Sequence, residues 1–196
     1  MIFKLNLRSM RNFYSLLFLA IFSTNFTAQE SLEHKMLVEN ELKSYQIKSD
    51  FNVNPNTLNY DLQYQRMDVN LDPAINYISG SVTLHFLAKE SMASIYLDFT
   101  NQIPVSSVTY HGASLIFEQL PTKELKINFP NSIATNTLDS LTINYSGVPD
   151  NIGRTYFYVG THASSPVLST LSEPYGAQNW FPTKQSMNDK IERFDF

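Results

Sequence analysis

Alternation of apolar and polar residues with a period of two is the feature that most constrains this chain. In residues 78–86, Val82, Leu84 and Phe86 alternate with serine, threonine and histidine residues. Successive side chains of a β-strand point to opposite faces, so this pattern predicts a half-buried strand with a polar outer face. Similar runs recur at residues 60–71, 95–99, 125–129, 141–145 and 156–159. No helical run separates them, so the prediction is an all-β, antiparallel fold.

The first two runs predict a β-hairpin. Residues 60–64 and 67–71 place their apolar residues on opposite phases of the alternation, which indicates either a β-bulge inside one long strand or a strand that changes faces. Asp72-Pro73 follows as a turn signal, and residues 78–86 form the return strand. Two further short strands are predicted around residues 105–108 and 115–117. With about eight short strands separated by turns, the chain is predicted to form a Greek-key-like antiparallel β-sandwich.

The N-terminus resembles a secretory signal peptide. Lys4, Arg8 and Arg11 precede an apolar run at residues 14–22, which is shorter than the roughly 20 residues that span a bilayer. We predict a signal peptide over residues 1–28, cleaved near Thr27-Ala28-Gln29, and export to the periplasm or the extracellular space. The alternative is an uncut membrane anchor. After cleavage, no stable membrane span is expected.

Charge argues against nucleic-acid binding. The chain carries a formal charge of −4, and this becomes −7 once the three positive charges of the predicted signal peptide are removed. An acidic surface repels phosphate backbones.

Two further segments follow the predicted signal peptide. Residues 29–57 hold a short charged helix, predicted between Glu30 and Lys48, and an Asn-Pro-Asn linker. The domain proper is predicted to occupy residues 58–196.

The sequence lacks cysteine nucleophiles and the commonest zinc motif. There are no cysteines and four histidines, none followed by Glu and none within five residues of another. A His-Glu-x-x-His zinc motif is therefore absent, and no metal or other cofactor is expected to bind this chain. His111 is predicted to be a polar turn residue. The acids Asp139 and Asp150 are predicted to be solvated turn acids without a partner.

One segment near the C-terminus, residues 171–184, has no periodicity. It contains Glu173, the prolines 174 and 182, and the only tryptophan, Trp180, beside Phe181. Proline fixes the backbone, so the segment is predicted to be a shaped loop lying across the β scaffold. Glu173 precedes a proline and should be in an extended or turn conformation. There it could present a carboxylate to a cation such as a peptide's terminal ammonium, or make a structural surface salt bridge.

Residues 171–190, Leu-Ser-Glu-Pro-Tyr-Gly-Ala-Gln-Asn-Trp-Phe-Pro-Thr-Lys-Gln-Ser-Met-Asn-Asp-Lys, resemble the segment that closes the N-terminal domain of aminopeptidase N-like zinc metallopeptidases (gluzincins), in particular secreted bacterial members. Residues 60–73 and 78–84 resemble the family's first hairpin. Residues 96–99 and 141–147 resemble later strands, so the resemblance covers about residues 58–196.

The resemblance implies a saddle-like β-sandwich that packs, in full-length relatives, on a thermolysin-like catalytic domain holding zinc. It implies that Glu173 binds the free N-terminus of a peptide substrate. Two residues depart from the family pattern: Leu171 stands where many relatives have Gln, and Thr183 where many have Cys. The catalytic half, with its His-Glu-x-x-His and Gly-x-Met-Glu-Asn motifs, is missing, so the resemblance implies a domain truncated at its C-terminal edge.

Three functional hypotheses follow. In the first, the chain is the N-terminal substrate-cleft domain of an exported zinc-dependent aminopeptidase-like hydrolase, inactive alone, with a separate or missing catalytic domain as its partner. In the second, it is a stand-alone, non-catalytic β-sandwich of the cell envelope that binds peptides or a partner protein. In the third, it is a purely structural adhesion-type domain. Trp180 and Phe181 are expected to be exposed, at a domain interface in the first hypothesis and in a binding patch in the second.

Overall fold

A computed structural model describes residues 35, 38, 39, 41–43, 45, 52–149, 156–173 and 175–196. The chain divides into two compact units, Met1–Lys43 and Ser44–Phe196. The described residues between 35 and 45 are helical, whereas the predicted signal peptide and the rest of the predicted helix lie outside the described residues. The domain boundaries predicted from sequence therefore stay predictions. Among the described residues, no helix is long and apolar enough to cross a membrane.

The second unit is built from strands. Their bounds are β1 Tyr60–Leu71, β2 Ile78–Ala88, β3 Met92–Asp98, β4 Val105–Tyr110, β5 Ala113–Ser114, β6 Ile116–Leu120, β7 Glu124–Ile133, β8 Leu138–Gly147, β9 Phe157–His162, β10 Ser165–Thr170 and β11 Arg193–Asp195. A 3₁₀ turn at Pro55–Thr57 precedes β1, and a second one at Ala177–Asn179 lies between β10 and β11.

The described strands form three sheets. The largest has six strands in the order β11-β1-β2-β8-β4-β5, the second has the order β3-β7-β6, and β9 and β10 form a two-stranded sheet. All pairings are antiparallel except that of β1 with β11, which is parallel. The predicted all-β, antiparallel class is confirmed.

A single apolar cluster joins the six-stranded and three-stranded sheets. It includes fully buried residues of both sheets, such as Leu84 on β2 and Ile127 on β7. Phe86 contacts Phe129 of the opposite sheet, with ring centroids 5.9 Å apart. The hydroxyl of Tyr60 donates to the carbonyl of Tyr96, 2.8 Å away, so a polar group also links the two layers. This is a sandwich, as the alternating pattern predicted.

The phase change in the first strand is a β-bulge, the first of the two alternatives predicted from the alternation. The pairing of β1 with β2 shifts register between Leu62 and Tyr64. Before the shift Tyr60 and Leu62 are buried, and after it Gln65 and Met67 are buried. One extra residue moves the inward phase by one position, so the strand keeps the same face toward the core.

Three strands were not predicted: the two-residue β5, β10 and β11. The last aromatic strand, predicted at residues 156–159, is longer and pairs with β10 as a hairpin. Its two-residue loop is Ala163–Ser164, both with positive φ, 47° and 69°. Such loops normally carry Asn or Gly, so this one lacks the residues that would have signalled it.

Candidate functional site

The aromatic loop runs over residues 171–190 and is defined here as the 171–190 loop. Its middle extends the three-stranded sheet: Asp98 and Thr183 exchange backbone hydrogen bonds of 2.8 and 3.2 Å at the edge strand β3. The amide of Thr100 donates to the carbonyl of Gln178 at 2.8 Å. The loop is therefore bonded to the sandwich like a short additional strand.

The Asp98 side chain is one anchor of the 171–190 loop. It is 5% exposed and accepts from the Gln185 backbone amide at 2.8 Å and from Asn54 Nδ2 at 3.1 Å. Burial raises the pKa of Asp98, and the two hydrogen bonds oppose that rise. One carboxylate thus ties the loop both to β3 and to the segment before β1.

Gln65 forms a second anchor, from the other sheet. The residue is fully buried on β1, and its Nε2 donates to the Pro182 carbonyl at 3.3 Å. The hydroxyl of Thr183 donates to Gln65 Oε1 at 3.1 Å. Both ends of the amide are used by the loop, which satisfies a polar group that would otherwise be costly to bury.

Lys184 is the third anchor. Its side chain is 1% exposed, its Nζ donates to the Tyr60 carbonyl at 2.7 Å, and it forms an ion pair with Asp189. The Nζ also lies 4.6 Å from the centre of the Tyr60 ring. Burial lowers the pKa of Lys184, and the hydrogen bond with Asp189 counteracts it. Asp189 also accepts from Lys89 at 3.2 Å, so the end of the loop is tied to β1 and to the residue after β2.

The expectation that Trp180 and Phe181 are exposed is wrong. They are 5% and 6% exposed and belong to the apolar cluster of the sandwich. Their rings contact edge to face with centroids 4.5 Å apart, and the Trp180 indole donates to Ser172 Oγ at 3.3 Å. The three anchors hold the loop against the sandwich, and burying these two large rings is favourable there. They are part of the core rather than of a free binding patch.

Glu173 lies in the first turn of the loop, three residues after the end of β10 at Thr170. The residue is exposed, and the turn is closed by the Gly176 amide, which donates to the Ser172 carbonyl at 2.7 Å. Within the described ranges, no hydrogen bond or ion pair involves the Glu173 carboxylate. The structural salt bridge considered as an alternative therefore has no partner in the described part of the chain. Glu173 is an exposed carboxylate on an anchored loop.

An apolar groove borders the same loop. Its volume is 390 Å³, and it lies between β10, the 171–190 loop and the ends of β1 and β11. Its apolar lining residues are Met67, Leu71, Leu168, Trp180, Phe181, Phe194 and Phe196. Ser172, the residue before Glu173, also lines the groove. Glu173 therefore directly follows a groove-lining residue in the sequence.

The prediction that Asp139 is a solvated acid without a partner is wrong. Its side chain is 11% exposed and accepts from the Tyr110 hydroxyl at 2.6 Å, while its other oxygen lies 2.7 Å from His111 Nε2. The His111 and Tyr110 rings stack with centroids 3.9 Å apart. The partners meet because β4 pairs with β8, which brings residues 28 and 29 positions apart together. Asp150 lies outside the described residues.

The described residues contain no group of three or more His, Asp or Glu side chains that could hold a metal ion. Zinc, the metal that the family resemblance implies, therefore has no fitting site in the described ranges.

Comparison with known proteins agrees with this architecture at the level of fold. No family model and no curated protein matches the sequence. Among solved structures, a mutant of a two-domain M1 zinc metallopeptidase bound to L-arginine matches with a TM-score of 0.55 and 23% identity, over 65% of this chain and 29% of that chain. The M1 zinc metallopeptidase from Deinococcus radiodurans matches with the same values. A mutant of that enzyme bound to a Tyr-Ser-Ala substrate shows 22% identity over 30% of its length, again with a TM-score of 0.55.

The chain therefore has the fold of one segment of M1 zinc metallopeptidases, and the resemblance predicted from sequence is confirmed at that level. The match spans less than a third of the length of those solved structures.

Sequence reasoning singled out Glu173, whose role stays a prediction, and missed the three anchors. Asp98 had a visible signal, because it is the one acid in the apolar run Tyr96-Leu-Asp-Phe99. Gln65 can be assigned to the buried face only when the position of the bulge in β1 is known. Lys184 was predicted only to lie at the end of the loop over residues 171–184.

Proposed function

We propose that this chain is the N-terminal scaffold domain of an exported, zinc-dependent aminopeptidase-like protein, in which it forms one wall of the cleft that binds a peptide substrate. The observation that carries the proposal is Glu173, an exposed carboxylate that has no partner among the described residues, on a loop anchored by Asp98, Gln65 and Lys184. The shared fold with M1 zinc metallopeptidases supports the same proposal.

The chemistry expected of Glu173 is recognition of a cation. A carboxylate binds a terminal ammonium through charge-assisted hydrogen bonds, which are about twice as strong as neutral ones. Because the loop is already ordered by its anchors, little conformational entropy would be lost on binding. Fixing the ammonium would place the first peptide bond of the substrate at a constant distance from the loop.

We propose that this chain is not catalytic by itself. In the proposed full-length protein, zinc and the groups that activate water belong to a catalytic domain, which is also the expected partner of this chain. The charge of the domain disfavours nucleic acid as a partner, and the basic and apolar N-terminus supports export to the periplasm or extracellular space.

Peptide binding tests the role of Glu173. Binding of a short peptide with a free N-terminus to the chain should be weak, and Glu173→Gln should weaken it about tenfold, a loss of about 1.4 kcal/mol. The same peptide with an acetylated N-terminus should bind the wild type and the variant equally. Glu118→Gln, which changes an exposed Glu on β6, is the matched control. Equal affinities of Glu173→Gln and wild type for the free peptide would contradict the proposal.

Enzyme assays test the catalytic claim. The purified chain with added zinc should not hydrolyse aminoacyl p-nitroanilides, and measurable, chelator-sensitive turnover would contradict it. An antibody against the domain should detect, in the source cells, a protein of higher mass whose immunoprecipitate has aminopeptidase activity. Detection only at the mass of this chain would favour the alternative, a stand-alone envelope domain.

One observation favours that alternative. Phe194 and Phe196, which line the apolar groove, are 44% and 77% exposed. Exposed apolar surface of this kind marks sites of contact with another molecule. A stand-alone domain would bind a peptide or a partner protein there, and binding would then depend on Phe194 rather than on Glu173.

A further inference from the structure

The outer face of the six-stranded sheet contains a second concave site, the sheet depression, with a volume of 610 Å³. Its polar lining side chains are Asp68, Asn70, Ser79, Ser81 and Asn144. None of them belongs to the 171–190 loop. The volume falls within the range of about 300–1,000 Å³ that is typical of small-ligand sites.

Strand register creates the depression. The small residues Ser79 and Ser81 of β2 form its floor, because β2 lies between β1 and β8 in the sheet. Asp68 and Asn144 lie on either side of Ser81, and Asn70 lies directly opposite Ser79. Neighbouring strands are about 4.8 Å apart, so these polar groups form a regular array at that spacing.

Most of these polar groups are free to bind a ligand. Within the described part of the chain, the side chains of Asn70, Ser79 and Ser81 make no hydrogen bond. Asn144 uses its Nδ2 to donate to Ser107 at 3.0 Å, which orients the amide. Hydroxyls and amides both donate and accept, so the array offers both functions over a small area.

The charge of the depression is balanced within the protein. Arg66 Nε and Nη2 lie 2.8 and 2.9 Å from the two carboxylate oxygens of Asp68. An anionic ligand would meet no unpaired cation here, and a cationic ligand would compete with Arg66 for Asp68. A purely apolar ligand would displace water from five polar side chains, and it could not replace the hydrogen bonds that the water makes with them.

We propose that the sheet depression binds a neutral saccharide. A sugar ring carries several hydroxyls that each donate and accept, which matches the array of Asn and Ser side chains and the charge-balanced Asp68. The ring of Phe196, 77% exposed, borders the depression and can cover the apolar face of a sugar ring. The site would let the domain attach to a glycan, and this inference does not depend on the peptide role of Glu173.

The test is a titration of the full chain with maltotriose, cellotriose and chitotriose, followed by amide shifts in two-dimensional NMR. At least one trisaccharide should bind with a dissociation constant of about 1 mM or tighter, with shifts centred on Ser79 and Ser81. Ser81→Val, which removes a hydroxyl and fills the floor with a strand-favouring residue, should weaken binding at least about tenfold. Asn70→Ala is a second variant at an exposed position, in case Ser81→Val does not fold.

The matched control is Thr109→Val, which removes a hydroxyl on β4 of the same sheet, outside the depression, and should leave the affinity unchanged. Absence of saturable shifts with all three sugars would overturn the proposal. So would shifts located elsewhere, equal affinities of the wild type, Ser81→Val and Asn70→Ala, or tighter binding of a sulfated polysaccharide than of the neutral ones.

Discussion

Lys184 is a charged side chain in a place where an apolar one would be usual. Its side chain is almost fully buried, and it contacts the Tyr60 carbonyl, the Tyr60 ring and Asp189. A buried ion pair gives little net stability compared with an apolar pair, but breaking it leaves the partners unsatisfied. Loss of the Lys184 amine should therefore destabilise the fold, although the ion pair itself adds little compared with an apolar pair.

Lys184→Met should lower the free energy of unfolding by about 2–4 kcal/mol, because the Tyr60 carbonyl and Asp189 lose their buried donor. Urea denaturation measures the change. Lys190→Met, an exposed lysine of the same loop, is the control and should have almost no effect. Equal effects of the two substitutions would show that the buried ion pair does not hold the loop.

Asp139 gives a pH dependence. Burial acts to raise its pKa, but hydrogen bonds from Tyr110, the Ser140 amide and His111 together hold the pKa below its ordinary value. A lowered pKa in the folded state means that the ionised carboxylate stabilises the fold above the unfolded pKa. That stabilisation is lost as the pH falls through the folded pKa.

Asp139→Asn should therefore cost most stability near neutral pH, and the cost should shrink as the pH falls below about 3.8. Urea denaturation of wild type and variant over this pH range measures it. Glu90→Gln, an exposed acid after β2, is the control, with a small cost at every pH. A cost for Asp139→Asn that grows on acidification would contradict the assigned sign.

At the scale of elements, the β1–β2 hairpin shows how tightly two strands can approach. A Cβ added at Gly80 would lie 2.2 Å from the Asp68 carbonyl oxygen and 2.8 Å from Val69 Cα. Both are backbone atoms, so no side-chain rotation relieves the contact. Glycine at this position lets β2 pack closely against β1, the strand that contains the bulge.

Gly80→Ala should lower the free energy of unfolding by about 1–3 kcal/mol, because the strands must separate to admit the methyl group. Thermal and urea unfolding measure the change. Ser81→Ala, one residue further along β2, is the control and should change stability by less than about 0.5 kcal/mol. A Gly80→Ala variant as stable as wild type would show that the close approach of the strands is not required.

Elements were the scale at which sequence reasoning was most successful. The long strands of the two main sheets follow from alternation, because side-chain direction in a strand depends only on neighbours in sequence. The phase change in β1 was read from the same pattern. The strands β5, β10 and β11 were missed because β10 is polar with a proline and the other two have only two and three residues, so none shows enough alternation.

At the scale of the whole molecule, the 171–190 loop belongs to the same core as the two main sheets. Trp180 and Phe181 are members of the apolar cluster that includes residues of β2, β3, β7 and β8. The loop should therefore not open independently of the sandwich, and the second unit should unfold cooperatively.

Trp180 reports on this directly, since it is the only tryptophan. In denaturant, its fluorescence change and the loss of β-sheet circular dichroism should have the same midpoint. Asp98→Asn, which weakens one anchor, should shift both midpoints together. A fluorescence midpoint clearly below the circular dichroism midpoint would show that the loop detaches first and that the anchors do not couple it to the core.

The amino-acid sequence by itself determined the β class, the sandwich, the first hairpin with its bulge, and the loop that presents Glu173. These depend on local periodicity and turn residues, and on a resemblance that the shared fold with M1 zinc metallopeptidases supports. Only the tertiary structure decided that Trp180 and Phe181 are buried, that Asp139 has partners, and that Lys184 binds the carbonyl of a residue 124 positions away. Contacts between such distant residues depend on which strands pair and on how the sheets stack. Neither can be read from a local pattern in the sequence.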